Sequence, residues 1–193
     1  MSELLIVFVK NPELGMVKTR LAKDIGDEEA LAVYKKLLKT TIEAVKDCRA
    51  DVRFYFSNSV DENIWSEDQS RIQSGVDLGE KMKNAFQDGF SEGYDRIVII
   101  GSDLPDMSSE LLDKSFQSLS FMDTVIGPAS DGGYYLLGMK KMIPELFENV
   151  RWSTNEVLET TLERLTKKKE SYFLLETKND IDTKEDLIQS SSN

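Results

Sequence analysis

The sequence predicts an α/β domain with a mostly parallel sheet, because short apolar runs alternate with segments of helical periodicity along the chain. The clearest run, residues 97–100, reads Ile-Val-Ile-Ile, and four β-branched residues in succession are typical of a strand that is buried on both faces. We find no internal repeat, low-complexity block or linker. This indicates a single domain over residues 1–189 and a frayed tail at residues 190–193.

The first half of the chain contains three predicted strands, at residues 4–9, 52–56 and 71–73. Asp27 is expected to cap a long helix between the first two strands, with acidic residues in its first turn. Its apolar residues recur at helical spacing, at Leu31, Tyr34, Leu38, Ile42 and Val45. A second helix opens at residues 75–79, ends at Gly93 and has an apolar face formed by Leu78, Met82, Ala85, Phe86 and Phe90.

The second half continues the alternation with a helix at residues 109–119 and strands at 124–127, 134–138 and 172–175. Pro144 suits the first position of a short helix, because its φ angle is already helical. Ser153 is expected to cap the following helix, which carries Val157, Leu158, Leu162 and Leu165. A final helix is expected from Thr183.

The composition excludes several classes of chemistry. The net charge of −11 argues against binding to nucleic acid or to an anionic membrane surface. The chain has no histidine, which excludes Ser-His-Asp hydrolysis and histidine-ligated metals, and its single cysteine excludes a disulfide framework. A bound metal would need oxygen ligands, so Mg²⁺ or Mn²⁺ is the expected cofactor.

The apolar segments also bear on location. The run at residues 4–9 is too short for the apolar region of a signal peptide, and Lys10 closes it. No stretch approaches the length of a membrane span. The sequence therefore predicts a cytoplasmic protein.

Asp103 is the first candidate functional residue, because it directly follows the strand at residues 97–100. Ligands of open α/β sheets bind at the carboxyl ends of the strands. The alternative is a turn or cap aspartate, since a helix starts soon afterwards at residues 108–110.

The loop after the first strand is the second candidate. Lys10, Lys18, Arg20 and Lys23 concentrate positive charge in an otherwise acidic chain, and Gly15 makes the loop pliable. The spacing is not that of a Walker A loop. The alternative is a solvated helix start.

Three further segments carry polar residues where strands are expected to end. Asp131 lies in a glycine-rich loop and suits a general base or a metal ligand, whereas the alternative is a plain hairpin turn. Asp180 and Asp182 could complete a metal site, or the segment could simply cap the last helix. Residues 73–79 contain glycines against which a flat base could lie, and Trp65 and Trp152 are interpreted as packing residues.

Taken together, the motifs resemble those of a poorly characterised bacterial family of GT-A-fold proteins, proposed to be glycosyltransferases, some of which are linked to arsenosugar biosynthesis. That family belongs to the nucleotide-diphospho-sugar transferase superfamily. Molybdenum cofactor guanylyltransferases and phospholactate guanylyltransferases are similar more distantly. The resemblance covers residues 4 to about 187 and rests on Lys-Thr-Arg-Leu (18–21), Asp-Leu-Gly-Glu-Lys-Met (77–82), Gly-Ser-Asp-Leu-Pro (101–105), Asp-Gly-Gly-Tyr-Tyr (131–135), Arg-Trp-Ser-Thr (151–154) and Asp-Ile-Asp-Thr-Lys-Glu-Asp-Leu (180–187).

The resemblance implies a GT-A-like three-layer sandwich and a role for each motif. Asp103 and Asp182 would bind the metal, and Asp131 would face the acceptor. The nucleotide phosphates would lie along Lys10, Gly15, Lys18 and Arg20. The base would lie near Gln73, Gly75, Leu78 and Gly79. A sugar pocket could form from Asp131 together with Gly132, Gly133 and Tyr134.

The expected reaction is transfer of a sugar from a nucleotide-sugar to an unknown small-molecule acceptor. Asp103 lacks the Asp-x-Asp pair typical of many glycosyltransferases, which leaves open a nucleotidyltransferase that acts on a nucleoside triphosphate and a phosphorylated acceptor. A third alternative is a catalytically silent nucleotide-binding module.

Overall fold

The computed structural model describes residues 1–190 of the 193 in the chain. They form a single α/β domain around a seven-stranded sheet with the order β3-β2-β1-β4-β6-β5-β7. The strands are β1 (Glu3–Val9), β2 (Asp51–Phe56), β3 (Ser70–Ile72), β4 (Arg96–Ile100), β5 (Thr124–Pro128), β6 (Tyr134–Met139) and β7 (Tyr172–Leu174). This confirms the predicted fold class.

Helices cover both faces of this sheet. They are α1 (Thr19–Ile25), α2 (Asp27–Lys46), α3 (Leu78–Ser91), α4 (Ser109–Ser118), α5 (Val157–Lys168) and α6 (Lys184–Ser190), with 3₁₀ turns at Glu67–Gln69 and Pro144–Leu146. Apolar residues of α2 and α4 pack on one face, and those of α3 and α5 pack on the other. The result is a three-layer sandwich.

The strand directions place most loops of interest at one edge. β1 pairs in parallel with both β2 and β4, and β5 pairs in parallel with β7. β6 is antiparallel to β4 and to β5. The carboxyl ends of β1, β4, β5 and β7 therefore meet at the same edge as the start of β6.

The central strands are buried on both faces, as their unbroken apolar sequences predict. Residues 97–100 of β4 are at most 4% exposed, and residues 4–7 of β1 are fully buried. Leu5 lies opposite Val98 in the register of β1 with β4. These strands form the rigid floor from which the loops project.

Local details at three helix starts differ from the expectations. α1 is an additional short helix, and Gly26, with φ of +89°, precedes α2, so Asp27 is the first residue of α2 and not its cap. Ser153 has φ of +62° and lies in the loop before α5, where it cannot act as the cap. These starts depend on tertiary packing more than on local capping signals.

The carboxyl end of the chain is partly as expected. Thr183 and Asp186 cap α6 reciprocally, because the Thr183 N–H donates to Asp186 at 2.8 Å and the Asp186 N–H donates to the Thr183 hydroxyl at 3.3 Å. Ser190, expected in the frayed tail, is the last residue of α6, and residues 191–193 lie outside the described residues. Within residues 1–190, no helix is both long enough and apolar enough to cross a membrane.

Candidate functional site

A cleft of about 470 Å³ opens at the carboxyl edge of the sheet. Its lining includes Lys18 and Arg20 after β1, Asp103 after β4, and Asp131 after β5. Asp182, which follows β7, lines it as well. The topology thus brings together charged residues that are far apart in the sequence.

Three carboxylates converge in this cleft. Asp103, Asp180 and Asp182 each offer an oxygen atom, and these oxygens all lie within 4.8 Å of one another. Asp103 is the single acidic residue of its own motif, but folding brings Asp180 and Asp182 close to it. Oxygen ligands at such spacing suit a hard divalent cation such as Mg²⁺ or Mn²⁺.

The segment that follows β7 continues to pair with β5, and this pairing brings Asp180 to the acidic cluster. After β7, the Leu175 N–H donates to the Ile126 carbonyl at 2.9 Å, and the Lys178 N–H donates to the Pro128 carbonyl at 3.0 Å. The chain therefore follows β5 to its end, although residues 180–182 are not themselves in a strand.

Lys18 is the buried cation of the cluster. Its Nζ atom lies 2.8 Å from Asp103 and 3.1 Å from Asp182, and its side chain is only 3% exposed. Burial opposes the charged form, but attraction to Asp103 and then to Asp182 outweighs this effect and raises the pKa of Lys18. Arg20 adds an exposed ion pair with Asp182 at 3.3 Å.

Asp180 is the carboxylate of the three that forms no ion pair with Lys18 or Arg20. Within residues 1–190, its side chain has no hydrogen bond or ion pair. Burial, followed by the negative charges of Asp182 and Asp103, raises the pKa of Asp180 to about 6. An additional cation near these carboxylates would relieve this repulsion.

A small apolar cluster holds the charged segments together. Leu21 of α1, Leu37 of α2 and Ile181 are buried against each other, with Ile25 and Leu187 partly buried around them. Because Leu21 follows Lys18 by one helical turn and Ile181 lies between two of the acids, this cluster fixes their approach.

Tyr34 of α2 ties two of the cleft loops together. Its hydroxyl donates to the Lys10 carbonyl at 2.8 Å and receives the Lys10 N–H at 3.0 Å. The same oxygen lies 2.9 Å from the Ser102 hydroxyl, next to Asp103. Burial raises the pKa of Tyr34 to about 12, so the hydroxyl stays protonated.

The Asp131 loop is a hairpin between β5 and β6, as its alternative interpretation predicts. Asp131 accepts a hydrogen bond from the Gly133 N–H at 2.8 Å, and its side chain is exposed. Gly132 has φ of +88°, and a Cβ atom there would lie 2.3 Å from the Asn155 carbonyl oxygen. The loop therefore needs glycine at this position and packs directly on the segment before α5.

Tyr134 lines the cleft, but its hydroxyl group does not reach it. Its hydroxyl oxygen is buried and has no hydrogen-bond partner among the described residues. Burial also raises the pKa of Tyr134. The expected sugar contact can involve the ring but not the hydroxyl.

The predicted base-binding segment is divided by the structure. Leu78 lines the cleft, whereas Gln73, Gly75 and Gly79 do not. The Gln73 amide donates to the Val9 and Tyr55 carbonyls at 3.3 and 2.9 Å. Gly75, with φ of +143°, packs on the backbone of α3.

The predicted phosphate and sugar residues are divided in the same way. Lys10, Lys18 and Arg20 line the cleft, but Gly15 does not. Gly133 lines it, whereas Gly132 faces Asn155. The acidic and basic candidates therefore lie together in one cleft, whereas several of the candidate glycines lie outside its lining.

Sequence reasoning found one part of the cleft and missed another. Asp180 and Asp182 are predicted as paired acids that could complete a metal site, and both line the cleft beside Asp103. Trp152 was interpreted as a packing residue, yet it lines the cleft with Ser153, Thr154 and Asn155. The three polar residues that follow Trp152 in the sequence are the signal that could have indicated a binding segment.

The fold is a GT-A-like three-layer sandwich, with acidic and basic side chains in a cleft at the carboxyl edge of its sheet. The chain belongs to the bacterial family described as "Uncharacterized protein conserved in bacteria (DUF2064)", whose model matches residues 40–154. This agrees with the family resemblance inferred from the motifs. No curated protein matches the chain in sequence.

Solved structures include a relative with a proposed activity. A proposed nucleotide-diphospho-sugar transferase from Desulfovibrio desulfuricans G20 is 36% identical, with a TM-score of 0.90, over 97% of this chain and 85% of that one. A Mycobacterium tuberculosis H37Rv protein in complex with manganese has a TM-score of 0.62 and 10% identity, with both chains fully covered. 4-Diphosphocytidyl-2C-methyl-D-erythritol synthase from Anaerococcus prevotii DSM 20548 has a TM-score of 0.62 and 13% identity, over 99% and 97% of the two chains. The last two share the fold.

Proposed function

We propose that this protein is a metal-dependent glycosyltransferase that takes a sugar from a nucleotide-sugar donor. The observation that carries the proposal is the convergence of Asp103, Asp180 and Asp182 with Lys18 and Arg20 in one cleft. Carboxylates for a cation beside fixed positive charges for phosphates are the groups that a diphosphate leaving group requires. The Desulfovibrio desulfuricans relative is a proposed enzyme of the same broad type.

The metal would be held by Asp103 and Asp182, with Asp180 as a third ligand. When bound, Mg²⁺ or Mn²⁺ supplies charge neutralisation at the phosphates. A Mycobacterium tuberculosis protein of the same fold was solved in complex with manganese, which supports the proposal of a divalent cation.

The basic residues would bind and orient the donor. Lys18 and Arg20 donate hydrogen bonds to carboxylates in this structure and can turn toward phosphate oxygens. Lys10 adds positive charge from its exposed side chain, and Gly15 lets the loop approach the phosphates. The base would lie over Leu78, with Gln73, Gly75 and Gly79 shaping that side.

Asp131 would position or deprotonate the acceptor hydroxyl. Its second carboxylate oxygen has no hydrogen-bond partner among the described residues, so it can accept a proton. Gly132 and Gly133 hold the carboxylate at the cleft, and the ring of Tyr134 would border the sugar.

A nucleotidyltransferase is the second candidate, and the basic loop favours it. Lys10, Lys18 and Arg20 could bind the β- and γ-phosphates of a nucleoside triphosphate, after which a phosphorylated acceptor would attack the α-phosphate. The Anaerococcus prevotii enzyme, a diphosphocytidyl-methylerythritol synthase by name, has the same fold.

Calorimetric titration of nucleoside diphosphates and nucleotide-sugars, with Mn²⁺ and with chelator, tests the donor and metal assignments. We expect Asp103→Ala to abolish the Mn²⁺-dependent part of the affinity while the variant stays folded, since Asp103 is only partly buried. Asp106→Ala changes a nearby exposed acid outside the cluster and serves as the control. Unchanged Mn²⁺ dependence in Asp103→Ala would refute the metal assignment.

A further inference from the structure

One part of the cleft wall has no role in the proposed chemistry. Trp152, Ser153, Thr154 and Asn155 line the cleft between the 3₁₀ turn Pro144–Leu146 and α5. Only Thr154 uses its side chain internally, since its hydroxyl donates to the Arg151 carbonyl at 2.8 Å. The side chains of Ser153 and Asn155 make no hydrogen bond within residues 1–190, and Trp152 lines the cleft while it packs on α3.

The indole of Trp152 is fixed against α3. A Cβ atom at Gly79 would lie 2.2 Å from the indole Nε1 and 2.4 and 2.5 Å from two ring carbons, so the ring fills the space that glycine leaves. Trp152 also packs on the apolar cluster of that face and remains half-buried. Its N–H has no hydrogen-bond partner among residues 1–190, and it does not belong to the fully buried unpaired atoms. The cleft therefore has a rigid aromatic wall.

The segment after Trp152 is anchored to the Asp131 loop. The backbone of Asn155 contacts Gly132, and the Leu158 N–H donates to the Gly132 carbonyl at 2.9 Å. The wall and the carboxylate of Asp131 therefore keep a fixed relation to each other. Ser153, with φ of +62°, is held in a conformation that non-glycine residues seldom adopt, which is common where a segment shapes a binding site.

The charge of this wall differs from that of the phosphate side. The basic residues that line the cleft, Lys10, Lys18 and Arg20, all come from the loop after β1 and the first turn of α1. Arg151 precedes the wall, but it is ion-paired with Glu156 and does not line the cleft. The groups around Trp152 are a hydroxyl, a primary amide and the carboxylate of Asp131. These are donors and acceptors for hydroxyl groups, and the carboxylate would repel a phosphate.

We propose that the wall Trp152–Asn155 binds the uncharged, hydroxyl-rich sugar of the donor, with Trp152 as the surface on which the sugar ring packs. The inference rests on the proposed function and adds to it the subsite that separates a nucleotide-sugar from the bare nucleoside diphosphate. The apolar face of a sugar ring lies on an aromatic ring, while Ser153 and Asn155 receive its hydroxyl groups.

The chain has two tryptophans, which makes the test direct. Trp65 stacks on Phe54 at 4.6 Å, away from the cleft, so Trp65→Phe leaves Trp152 as the single indole. With Mn²⁺ present, each nucleoside diphosphate and its matching nucleotide-sugar are titrated into Trp65→Phe, first by calorimetry and then by indole fluorescence. The comparison uses the diphosphate and nucleotide-sugar pair whose nucleobase gives the tightest binding.

We expect the nucleotide-sugar to change the Trp152 fluorescence in a saturable manner, and by more than the diphosphate, whose base would lie on the neighbouring Leu78, changes it. In a Trp65-containing background, Trp152→Ala should weaken binding of the nucleotide-sugar about tenfold and binding of the diphosphate less than twofold. Trp152→Phe, which keeps a ring on Gly79, should retain most of the affinity and serves as the variant least prone to misfold.

Different failures have different meanings. If the two ligands bind Trp65→Phe but lose affinity equally in Trp152→Ala, or if neither loses affinity, the sugar subsite is refuted and the proposed function survives. If neither ligand binds Trp65→Phe or the unsubstituted protein with Mn²⁺, the proposed function is refuted and the subsite with it.

Discussion

At the scale of single residues, the ammonium group of Lys18 sets the charge balance of the cleft. It contacts Asp103 at 2.8 Å and Asp182 at 3.1 Å, so it occupies the side of these carboxylates that a divalent cation would share. A buried cation paired in this way stabilises the acids when no other cation is near. In the proposed function, Lys18 would therefore compete with the metal for these carboxylates, and it is a candidate ligand of the phosphates.

The first prediction concerns Lys18→Met. Because the competing ammonium group is removed, we expect Mn²⁺ to bind more tightly in the absence of nucleotide. Affinity for nucleoside diphosphate should fall by about 1.5–3 kcal/mol, the usual range for a charge-assisted hydrogen bond. Calorimetric titration of Mn²⁺ and of diphosphate measures both effects.

Lys23→Met removes an exposed lysine of α1 and is the matched control, for which both affinities should stay unchanged. Weaker Mn²⁺ binding by Lys18→Met in the absence of nucleotide would contradict this account of Lys18.

A second prediction concerns Tyr34, whose hydroxyl joins Lys10 to Ser102. Tyr34→Phe leaves the Lys10 carbonyl and N–H without this partner, and we expect a loss of about 1–3 kcal/mol in unfolding free energy. Diphosphate affinity should fall as well, since two cleft loops lose their common anchor. Urea denaturation and calorimetry provide the two measurements, and an unchanged affinity would show that the loops need no such anchor.

At the scale of elements, α1 and the segment before α6 act as one unit. Leu21 and Ile181 pack in the small cluster that keeps Lys18 beside Asp182. Neither apolar residue lines the cleft, so their influence on binding must pass through the position of these elements. This makes the cluster testable separately from the charged residues.

The third prediction compares two fully buried leucines, Leu21 and Leu112 of α4. Replacing either by alanine should cost about 2–5 kcal/mol of unfolding free energy, because each leaves a cavity. Only Leu21→Ala should also weaken diphosphate binding, since Leu112 packs in the core away from α1. Equal diphosphate affinity in the two folded variants would refute the coupling between α1 and the acids.

The elements also show what the sequence could and could not predict. The apolar runs of β1 and β4 and the helical stripe of α2 predict the central layers, because burial alone determines them. Asp103 could be placed at a strand end for the same reason. α1 escaped prediction because seven residues give too short a period, and its packing on α2 and α6 stabilises it. Asp180 reaches Asp103 through the pairing of the segment after β7 with β5, and Trp152 reaches the cleft by packing on Gly79. Hydrophobic periodicity predicts neither of these long-range contacts.

At the scale of the whole molecule, folding brings four carboxylates and three basic side chains into one cleft of an acidic protein. The net charge of the chain is −11, and Asp180 lies among like charges without a hydrogen bond or ion pair in the described part of the chain. The repulsion between Asp180 and its neighbouring carboxylates therefore lowers the stability of the fold at the carboxyl edge of the sheet. Such concentration of unfavourable charge is typical of a site that binds a cation.

The fourth prediction follows from the pKa of Asp180, which is raised to about 6 in the folded state. Because the folded state binds this proton more tightly than the unfolded state does, the stability contribution is lost as pH rises from about 4 to about 6. In chelator at pH 7.5, Asp180→Asn should be more stable than the unsubstituted protein by about 1–2 kcal/mol after allowance for solvent screening. At pH 4 the difference should be small.

Asp186→Asn provides a control of opposite sign. Burial would raise the pKa of Asp186, but hydrogen bonds from Thr183 and Asn179 outweigh it and lower that pKa. This carboxylate stabilises the fold above its usual pKa, so Asp186→Asn should be less stable at pH 7.5. Thermal unfolding at the two pH values measures both variants. A stability loss in Asp180→Asn at pH 7.5 would contradict the account of the acidic cluster.

The most direct test of the central claim is product analysis after prolonged incubation with a panel of nucleotide-sugars and Mn²⁺. We expect slow release of nucleoside diphosphate, with water replacing the acceptor. Asp131→Asn should reduce this release while it leaves donor affinity unchanged. Release of pyrophosphate from a nucleoside triphosphate and a phosphorylated acceptor, with no turnover of any nucleotide-sugar, would contradict glycosyl transfer and establish nucleotidyl transfer in its place.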